Sequence, residues 1–295
     1  MYKILVDSGC DLTADFLKAN DIGLVYLSYS VDGVEYIDKA DDTDAVISLY
    51  NKMKEGKLTS TSQPLQEDIY QQFKLYAEQG VSVVYVTLSS GISGTYDSAC
   101  MARNRCKEEY PSAEVEVVDS LAASGGYGLL IRHAVEERAK GMPFADMCEW
   151  LRVHSHHVVH WFTVDDLEYL HRGGRVSRTV AVVGGVLKLK PVMRVDEGGH
   201  LVSNNIARGR KNALRELVNN VIESCKNYAE GIEQTVCIHH ADCPEDAALC
   251  KKLLEESGVA KKVIVEYIGP TIGCHSGPGT IAVFCFGNTR EKEKS

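Results

Sequence analysis

The sequence lacks the features that assign several common classes of protein. Its 295 residues contain no run approaching the roughly 18 consecutive apolar residues of a membrane-spanning helix. The first residues carry one lysine and only a few apolar side chains before Asp7, which is too short for a signal peptide, so we expect a cytoplasmic protein. The net charge of −9 makes nucleic acid a poor expected partner.

Several nucleotide and metal motifs are also missing. There is no Gly-x4-Gly-Lys-Ser/Thr loop, no Gly-x-Gly-x-x-Gly turn and no His-Glu-x-x-His helix. Ten cysteines are scattered without a Cys-x-x-Cys pair, and we expect them to be free thiols, mostly buried. Two crowded sets lack zinc spacing and span predicted junctions, so no metal is expected; these sets are His154, His156, His157, His160 and Cys237, His239, His240, Cys243.

What is present is an alternation of strand and helix signals. The first half predicts strands at Tyr2–Val6, Leu24–Val31, Val81–Leu88 and Val115–Val118, with helices at Asp44–Lys54, Glu67–Glu78, Thr95–Glu109, Ala122–Lys140 and Phe144–His154. This order predicts an α/β fold with a mostly parallel sheet flanked by helices.

The second half predicts another α/β unit with some antiparallel pairing. A Gly-Gly turn at 198–199 between Lys190–Val195 and His200–Ser203 is typical of a hairpin. We therefore expect two domains, residues 1–160 and 161–295, the second with a mixed sheet and helices. No Pro/Ser-rich linker marks the boundary.

Ligands of open α/β sheets bind where strands end, and four polar clusters fall at such turns. The clusters are Asp7–Asp11, Thr59–Pro64, Ser89–Thr95 and Gly269–Gly279. The third follows the strongest strand and opens a helix, so its backbone N–H groups and the helix dipole favour an anion. Gly91 and Gly94 allow close approach, while Ser93 and Thr95 add hydroxyls. The alternative to an anion site is that these hydroxyls only cap the helix.

Basic residues are concentrated in one segment of an acidic chain. Between Arg172 and Arg215 there are ten lysines and arginines against two acidic residues, Asp196 and Glu197. A solvated face is one explanation of this segment. The other is a docking surface for an acidic partner or a contact with an anionic ligand.

Taken in order, short motifs along nearly the whole chain resemble the DegV family. The motifs are Asp7-Ser8-x-x-Asp11-Leu12, Thr61-Ser62-Gln63-Pro64, Ser90-Gly91-Ile92-Ser93-Gly94-Thr95-Tyr96, Asp119-Ser120, Asp166-Leu167-x-x-Leu170-x-x-Gly173-Gly174-Arg175, Lys188-Leu189-Lys190-Pro191, and Ile268-Gly269-Pro270 through His275-x-Gly277-Pro278-Gly279. Each motif is weak alone, and the ordered set is specific.

The resemblance implies two α/β domains with a long-chain fatty acid buried between them, and a carrier rather than an enzyme. It implies that the carboxylate lies among Thr61, Ser62, Ser93 and His275. It also implies service as the acyl-carrying subunit of a bacterial fatty acid kinase system, in which a separate ATP-binding subunit phosphorylates the bound acid for phospholipid synthesis. No cofactor other than this ligand is expected, and Arg172 or Arg175 faces either the carboxylate or the partner.

Two alternatives remain open from the residues. In the first, Ser93 is the nucleophile of a lipid-ester hydrolase, with His275 as base and Asp7 or Asp119 as the acid, although the glycine two residues after the serine is missing. In the second, the chain is a regulatory or structural protein that binds no ligand. Separately, Cys10 and Cys274 stand where the family usually has smaller residues, so one of them is a candidate for an oxidation-sensitive thiol near the head group.

Overall fold

The structure is a computed structural model that describes residues 2–39, 42–177, 189–228, 234–288 and 290. Lys188, which begins one of the quoted motifs, and residues 291–295 of the charged tail lie outside the described residues. The strands are β1 Lys3–Asp7, β2 Ile22–Val25, β3 Ser28–Val31, β4 Val34–Ile37, β5 Thr59–Ser62, β6 Val83–Thr87, β7 Val115–Asp119, β8 Val158–Thr163, β9 Leu189–Val195, β10 Leu201–Arg208, β11 Thr235–His240, β12 Lys262–Tyr267 and β13 Ile281–Phe286. The helices are α1 Ala14–Ala19, α2 Thr43–Lys54, α3 Gln66–Glu78, α4 Thr95–Glu109, α5 Ser124–Ala139, α6 Phe144–Ser155, α7 Glu168–Arg172, α8 Arg210–Asn227, α9 Pro244–Ser257 and α10 Pro270–Ser276.

The first sheet has the order β2-β1-β6-β7, and all its pairs are parallel. Its central strands are covered on both faces, since Ile4 and Val84 belong to one core cluster and Leu5 and Val83 to another. Near-continuous apolar strands of this kind are typical of a parallel sheet between helix layers. The predicted mostly parallel sheet is confirmed.

The second sheet has the order β10-β9-β8-β13-β11-β12 and mixes parallel and antiparallel pairs. The predicted hairpin is β9 with β10. The α/β class with a mixed second sheet is therefore confirmed. The predicted division at 160/161 stays a prediction; it falls inside β8, a strand of this second sheet.

Helix α5 lies between the two sheets. Its residues Tyr127, Leu130 and Ala134 join one apolar cluster with Ile4 of the first sheet and Phe284 of the second. Glycines at its start allow this close packing: an added Cβ would come 2.4 Å from His239 at Gly125 and 2.4 Å from His160 at Gly126. The helix therefore couples both sheets through one core.

A small antiparallel sheet, β4-β3-β5, was not expected and corrects one prediction. Leu24–Val31 was predicted as a single strand, which is wrong: β2 belongs to the first sheet and β3 to the small one. Between them the ladder breaks, because the backbone N–H of Leu27 donates to Ser8 Oγ at 3.0 Å and Tyr26 is exposed. The chain thus passes from one sheet to another within two residues.

Candidate functional site

A cavity of about 500 Å³ lies among the ends of elements from all three sheets. Most of its wall is apolar; these residues are Leu27, Leu65, Leu88, Ile92, Ala123, Phe162, Leu170, Val195, Leu201, Ile268, Ile272, Ala282 and Phe284. The polar or small part of the wall comprises Thr61, Ser62, Gln63, Ser93, Gly94, Ser124, His160, Arg175, Thr271, His275, Ser276 and Thr280. Such a cavity suits a ligand with a long apolar part and a few polar atoms.

The predicted polar residues are brought together by two local contacts. Thr61 Oγ1 and His275 Nε2 are 2.7 Å apart, which joins β5 to α10. Ser93 Oγ lies 2.9 Å from Thr95 Oγ1 and accepts the backbone N–H of Thr95 at 3.3 Å. The first contact pairs residues far apart in sequence, and the second shapes the start of α4.

Strand β5 directs the side chain of Thr61 toward the cavity. In the small sheet Tyr29 pairs with Thr61 and Ser30 with Ser60, so alternate residues of β5 point to opposite faces. Ser60 Oγ bonds Ser30 Oγ at 2.8 Å on the other face. The strand was missed because four consecutive hydroxyl residues carry no apolar alternation.

The turn that carries Ser93 is fixed by buried hydrogen bonds. Asp7 accepts the backbone N–H of Leu88 at 2.8 Å and of Gly9 at 3.0 Å, which ties the end of β6 to the end of β1. Burial raises the pKa of Asp7 to about 7, even though these hydrogen bonds favour its charged form. An added Cβ at Gly91 would lie 2.6 Å from the backbone of Gly199, so the turn also abuts the β9–β10 hairpin.

Arg175 and His275 supply the basic character of the wall. Arg175 Nε donates to the carbonyl of Ile92 at 3.0 Å, and its Nη1 donates to the carbonyl of Gly173. Burial, reinforced by the Arg175 guanidinium, lowers the pKa of His275 to about 4. Near pH 7 the imidazole is therefore neutral with one N–H, while the guanidinium stays charged. Of the lysines and arginines in the described ranges, Arg175 alone lines this cavity.

Two predicted residues lie outside this lining. Thr95 is fully buried, and its hydroxyl faces Ser93. Arg172 is exposed, and its guanidinium lies 4.9 Å from the centroid of the Tyr169 ring. Of the two predicted arginines, the structure therefore brings Arg175 to the cavity.

Sequence reasoning did not select Ser124 and His160 as cavity residues. Ser124 begins α5 with a positive φ of 52°, and its hydroxyl bonds Asp11. His160 Nε2 accepts the N–H of Ala123 at 3.3 Å, and burial lowers the pKa of His160 to about 3. The sequence features that could have indicated these two residues were the Asp11 motif and the crowded histidines. Neither feature predicts a cavity unless the position of α5 is known.

The groups that a hydrolase would need are engaged elsewhere. In the described part of the chain, no hydrogen bond joins Ser93 to His275, whose Nε2 faces Thr61 instead. Asp7 holds Leu88 and Gly9, and Asp119 accepts the N–H groups of Ser90 and Leu121. A histidine with a pKa of about 4 is also a weak general base at neutral pH.

The cysteines form no disulfide bonds. All ten cysteines are free, and Cys10 and Cys274 are buried. Burial raises the pKa of Cys274 to about 12 and raises that of Cys10 well above its ordinary value, so both are thiols near pH 7. Within the described ranges no group of three or more His, Cys, Asp or Glu side chains is arranged to hold a metal ion. None of the helices in those ranges has the length and apolarity needed to cross a membrane.

Comparison with known proteins identifies the family. The model of a family described as "Uncharacterised protein, DegV family" matches residues 1–288. A DegV domain-containing protein of Clostridium perfringens is 38% identical over 290 residues, which is 98% of this chain and 99% of that protein.

Solved structures agree over the same length. A DegV lipid binding protein from Thermotoga maritima is 30% identical with a TM-score of 0.82, covering 99% of this chain and 100% of that one. A stearic acid-binding protein from Eubacterium ventriosum is 28% identical with a TM-score of 0.86, covering 97% and 98%. The resemblance drawn from the motifs is confirmed: this chain belongs to the DegV family.

Proposed function

We propose that the protein binds a long-chain fatty acid in the 500 Å³ cavity, with the carboxylate beside Thr61, Ser62, Ser93, Gly94 and His275. The observation that carries this proposal is the mostly apolar wall, on which lie the hydrogen-bonded Thr61–His275 pair and the half-buried Arg175. Relatives of the same fold are described as lipid-binding and stearic acid-binding proteins, which supports it. Thr95 acts indirectly, by holding the Ser93 hydroxyl in place.

The affinity of such a ligand comes mainly from its chain. Each buried methylene contributes about 0.8 kcal/mol, so about fourteen of them contribute about 11 kcal/mol before the costs of association. The head group has to be hydrogen-bonded when it leaves water, because an unpaired buried carboxylate is strongly unfavourable. The polar part of the wall therefore recognises the carboxylate of the fatty acid, and the apolar part buries its acyl chain.

The charge of the carboxylate is balanced by Arg175. Since His275 is neutral near pH 7, it carries no charge, and its one N–H can donate to Thr61 Oγ1, which leaves the Thr61 hydroxyl to donate to the carboxylate. A charge-assisted hydrogen bond is about twice as strong as a neutral one. We therefore assign Arg175 as the main electrostatic anchor and the hydroxyls and His275 as orienting groups.

A comparison of two ligands with the same chain tests this function. The long-chain acid and the alcohol of equal length bury the same methylenes and differ at the head group. Calorimetry should give saturable binding of the acid at one site, with the alcohol bound about tenfold or more weakly. Equal affinities would show that no carboxylate site exists, and no binding of either would refute the lipid-binding function.

We further propose that the bound acid is presented in the cytoplasm to an ATP-binding kinase subunit, which converts the carboxylate to an acyl phosphate. Arg208 and Lys211, two exposed residues of the basic segment between 172 and 215, form the proposed docking surface. Arg210 is unsuitable as a docking residue, because it pairs with Asp246 at 2.8 Å and bonds the carbonyl of Gly279.

Charge reversal tests the docking surface separately from lipid binding. Arg208→Glu with Lys211→Glu should weaken the complex with the kinase subunit and leave fatty acid affinity unchanged, as seen by pull-down and calorimetry. Lys251→Glu with Lys252→Glu, on α9, is the matched control. Loss of both activities together, or of neither, would contradict the docking proposal.

A further inference from the structure

Helix α10 carries His275 to the fatty acid cavity, and strand β5 holds the C-terminal part of this helix. Thr59 Oγ1 donates to the carbonyl of Cys274 at 3.2 Å, and Thr61 Oγ1 lies 2.7 Å from His275 Nε2. The helix runs only from Pro270 to Ser276, so few hydrogen bonds of its own hold it together. Its position therefore depends on what holds its other end.

The N-terminal end of α10 is held by Asp38, which lies 233 residues away along the chain. Asp38 Oδ2 accepts the backbone N–H of Thr271 at 3.0 Å and also accepts the Thr271 hydroxyl. The first N–H groups of a helix have no partner within it, and the residue before this helix, Gly269, has no side chain to cap them. Asp38 therefore supplies the cap from another part of the fold.

The contact between Asp38 and Thr271 is buried, since each residue is 2% exposed. Burial raises the pKa of Asp38 to about 7, with a further contribution from the charge of Asp11, whereas the two Thr271 hydrogen bonds favour its charged form. Burying a carboxyl group is unfavourable unless it is hydrogen-bonded. The hydrogen bonds to α10 offset that cost, and an apolar residue at position 38 could not make them.

The backbone of Asp38 is itself anchored to the cavity wall. Asp38 directly follows β4, and its N–H donates to the carbonyl of Leu27 at 3.0 Å. Leu27 lines the fatty acid cavity, as do Thr271 and Ile272 of α10. Asp38 thus joins two parts of the wall without lining the cavity itself.

We propose that Asp38 is a positioning residue of the fatty acid site, which fixes the start of α10 and thereby sets the His275 ring against Thr61. His275 follows Thr271 by about one helical turn, so a displacement at the start of this short helix is transmitted to the ring. This role rests on the proposed function of the cavity. Asp38 acts through α10 rather than by contact with the carboxylate of the ligand.

Three variants separate positioning from charge and from stability. Asp38→Ala removes both hydrogen bonds and should weaken binding of one long-chain fatty acid about tenfold or more in calorimetry. Asp38→Asn removes the charge, but its amide oxygen can still accept from both Thr271 donors, so affinity should fall at most about threefold. Thr13→Ala removes the hydroxyl cap of α1, a helix that does not line the cavity, and should leave affinity within about twofold.

Magnetic resonance of the His275 ring nitrogens reports on the position of the ring without any ligand. The chain has ten histidines, so the signals are assigned by their absence in His275→Gln. Asp38→Ala should shift them further than Asp38→Asn, because the two variants have the same charge and differ in the hydrogen bonds to α10. Should Asp38→Ala fail to fold, Thr271→Val replaces it, and the loss of one hydrogen bond should give the same effects at reduced size.

Unchanged affinity or unchanged His275 signals in Asp38→Ala would overturn the proposal. A loss of affinity in Thr13→Ala equal to that in Asp38→Ala would also overturn it, by tracing the effect to stability. If the unsubstituted protein bound no fatty acid, the proposed function would fail, and the His275 signals measured without ligand would still decide whether Asp38 positions the ring.

Discussion

The two basic side chains of the fatty acid cavity differ in charge at neutral pH. Arg175 is half-buried and protonated, whereas burial and the nearby guanidinium lower the pKa of His275 to about 4. A ligand carboxylate near them would therefore meet one fixed charge and one neutral hydrogen-bonding ring. This division makes separate predictions for the two residues.

Arg175→Gln should weaken binding of a long-chain fatty acid about tenfold to a hundredfold, since a charge-assisted hydrogen bond is lost. It should also raise the pKa of His275 above 4 without restoring the ordinary value, because burial, the larger cause, remains. Calorimetry and a histidine titration by magnetic resonance measure the two effects. Arg172→Gln is the control and should change neither; equal effects from both arginines would contradict the assignment.

Thr61→Ala should weaken fatty acid binding about tenfold, because His275 loses its partner and the carboxylate loses a donor. Ser60→Ala removes the hydroxyl of the preceding residue of β5, which bonds Ser30 Oγ and does not line the cavity. Binding of one fatty acid by the two variants is compared by calorimetry. If Ser60→Ala weakened it as much, the loss would come from the strand rather than from the site.

At the scale of elements, the site depends on α7 passing close to α10. An added Cβ at Gly173 would lie 2.2 Å from His275 Nδ1, so this position admits only hydrogen. At Gly94 the added Cβ would meet Gln63 Oε1 at 2.4 Å, which is the end of a flexible side chain. The two glycines therefore differ in what a methyl group would displace.

Gly173→Ala should displace the His275 ring and weaken fatty acid binding about tenfold, while Gly94→Ala should cost less because Gln63 rotates away. Both φ angles are negative, so backbone strain does not enter the comparison. Calorimetric titration with one fatty acid ranks the two variants. The opposite ranking would mean that the α4 end of the cavity, rather than His275, fixes the head group.

Sequence patterns predicted the elements whose side chains follow a regular period. Helix α4 was predicted at its observed bounds and helix α3 to within one residue, because apolar periodicity and flanking glycines or polar residues marked them. Strand β5 and helix α10 were missed, since β5 has no apolar alternation and α10 is one short turn-like segment of small residues. These are the elements that carry Thr61 and His275, which were found through the family motifs instead.

Across the whole molecule, a buried polar chain runs alongside α5 from one sheet to the other. Arg132 Nη2 lies 2.9 Å from Glu266, Glu266 lies 3.3 Å from His239 Nε2, and Ser124 bonds both Asp11 and His239. Burial favours neutral His239, but the carboxylates of Asp11 and Glu266 outweigh it and raise the pKa of His239. No sequence pattern revealed this network, because its members are far apart along the chain.

Glu266→Gln should lower the free energy of unfolding by about 3 kcal/mol, since it leaves Arg132 and His239 without their shared carboxylate. Urea unfolding measures the change. Glu255→Gln, which breaks an exposed pair with Lys251, is the control and should change stability by less than about 1 kcal/mol.

The same network predicts a pH dependence. Because the folded pKa of His239 is raised, its contribution to stability is full below the unfolded value of about 6.5 and is lost as pH rises through the folded pKa. Glu266→Gln should lessen that loss above pH 6.5, as seen in urea unfolding at a series of pH values. An unchanged profile would show that His239 is neutral in the folded protein.

Whether the purified protein carries a fatty acid is the most direct test of the account. Extraction with organic solvent followed by mass spectrometry should recover close to one long-chain fatty acid per chain, and its mass gives the chain length. The Thr61→Ala/Ser93→Ala/His275→Ala variant, if folded by circular dichroism, should lose it. A folded protein that yields no fatty acid and takes up none when it is supplied would contradict the account.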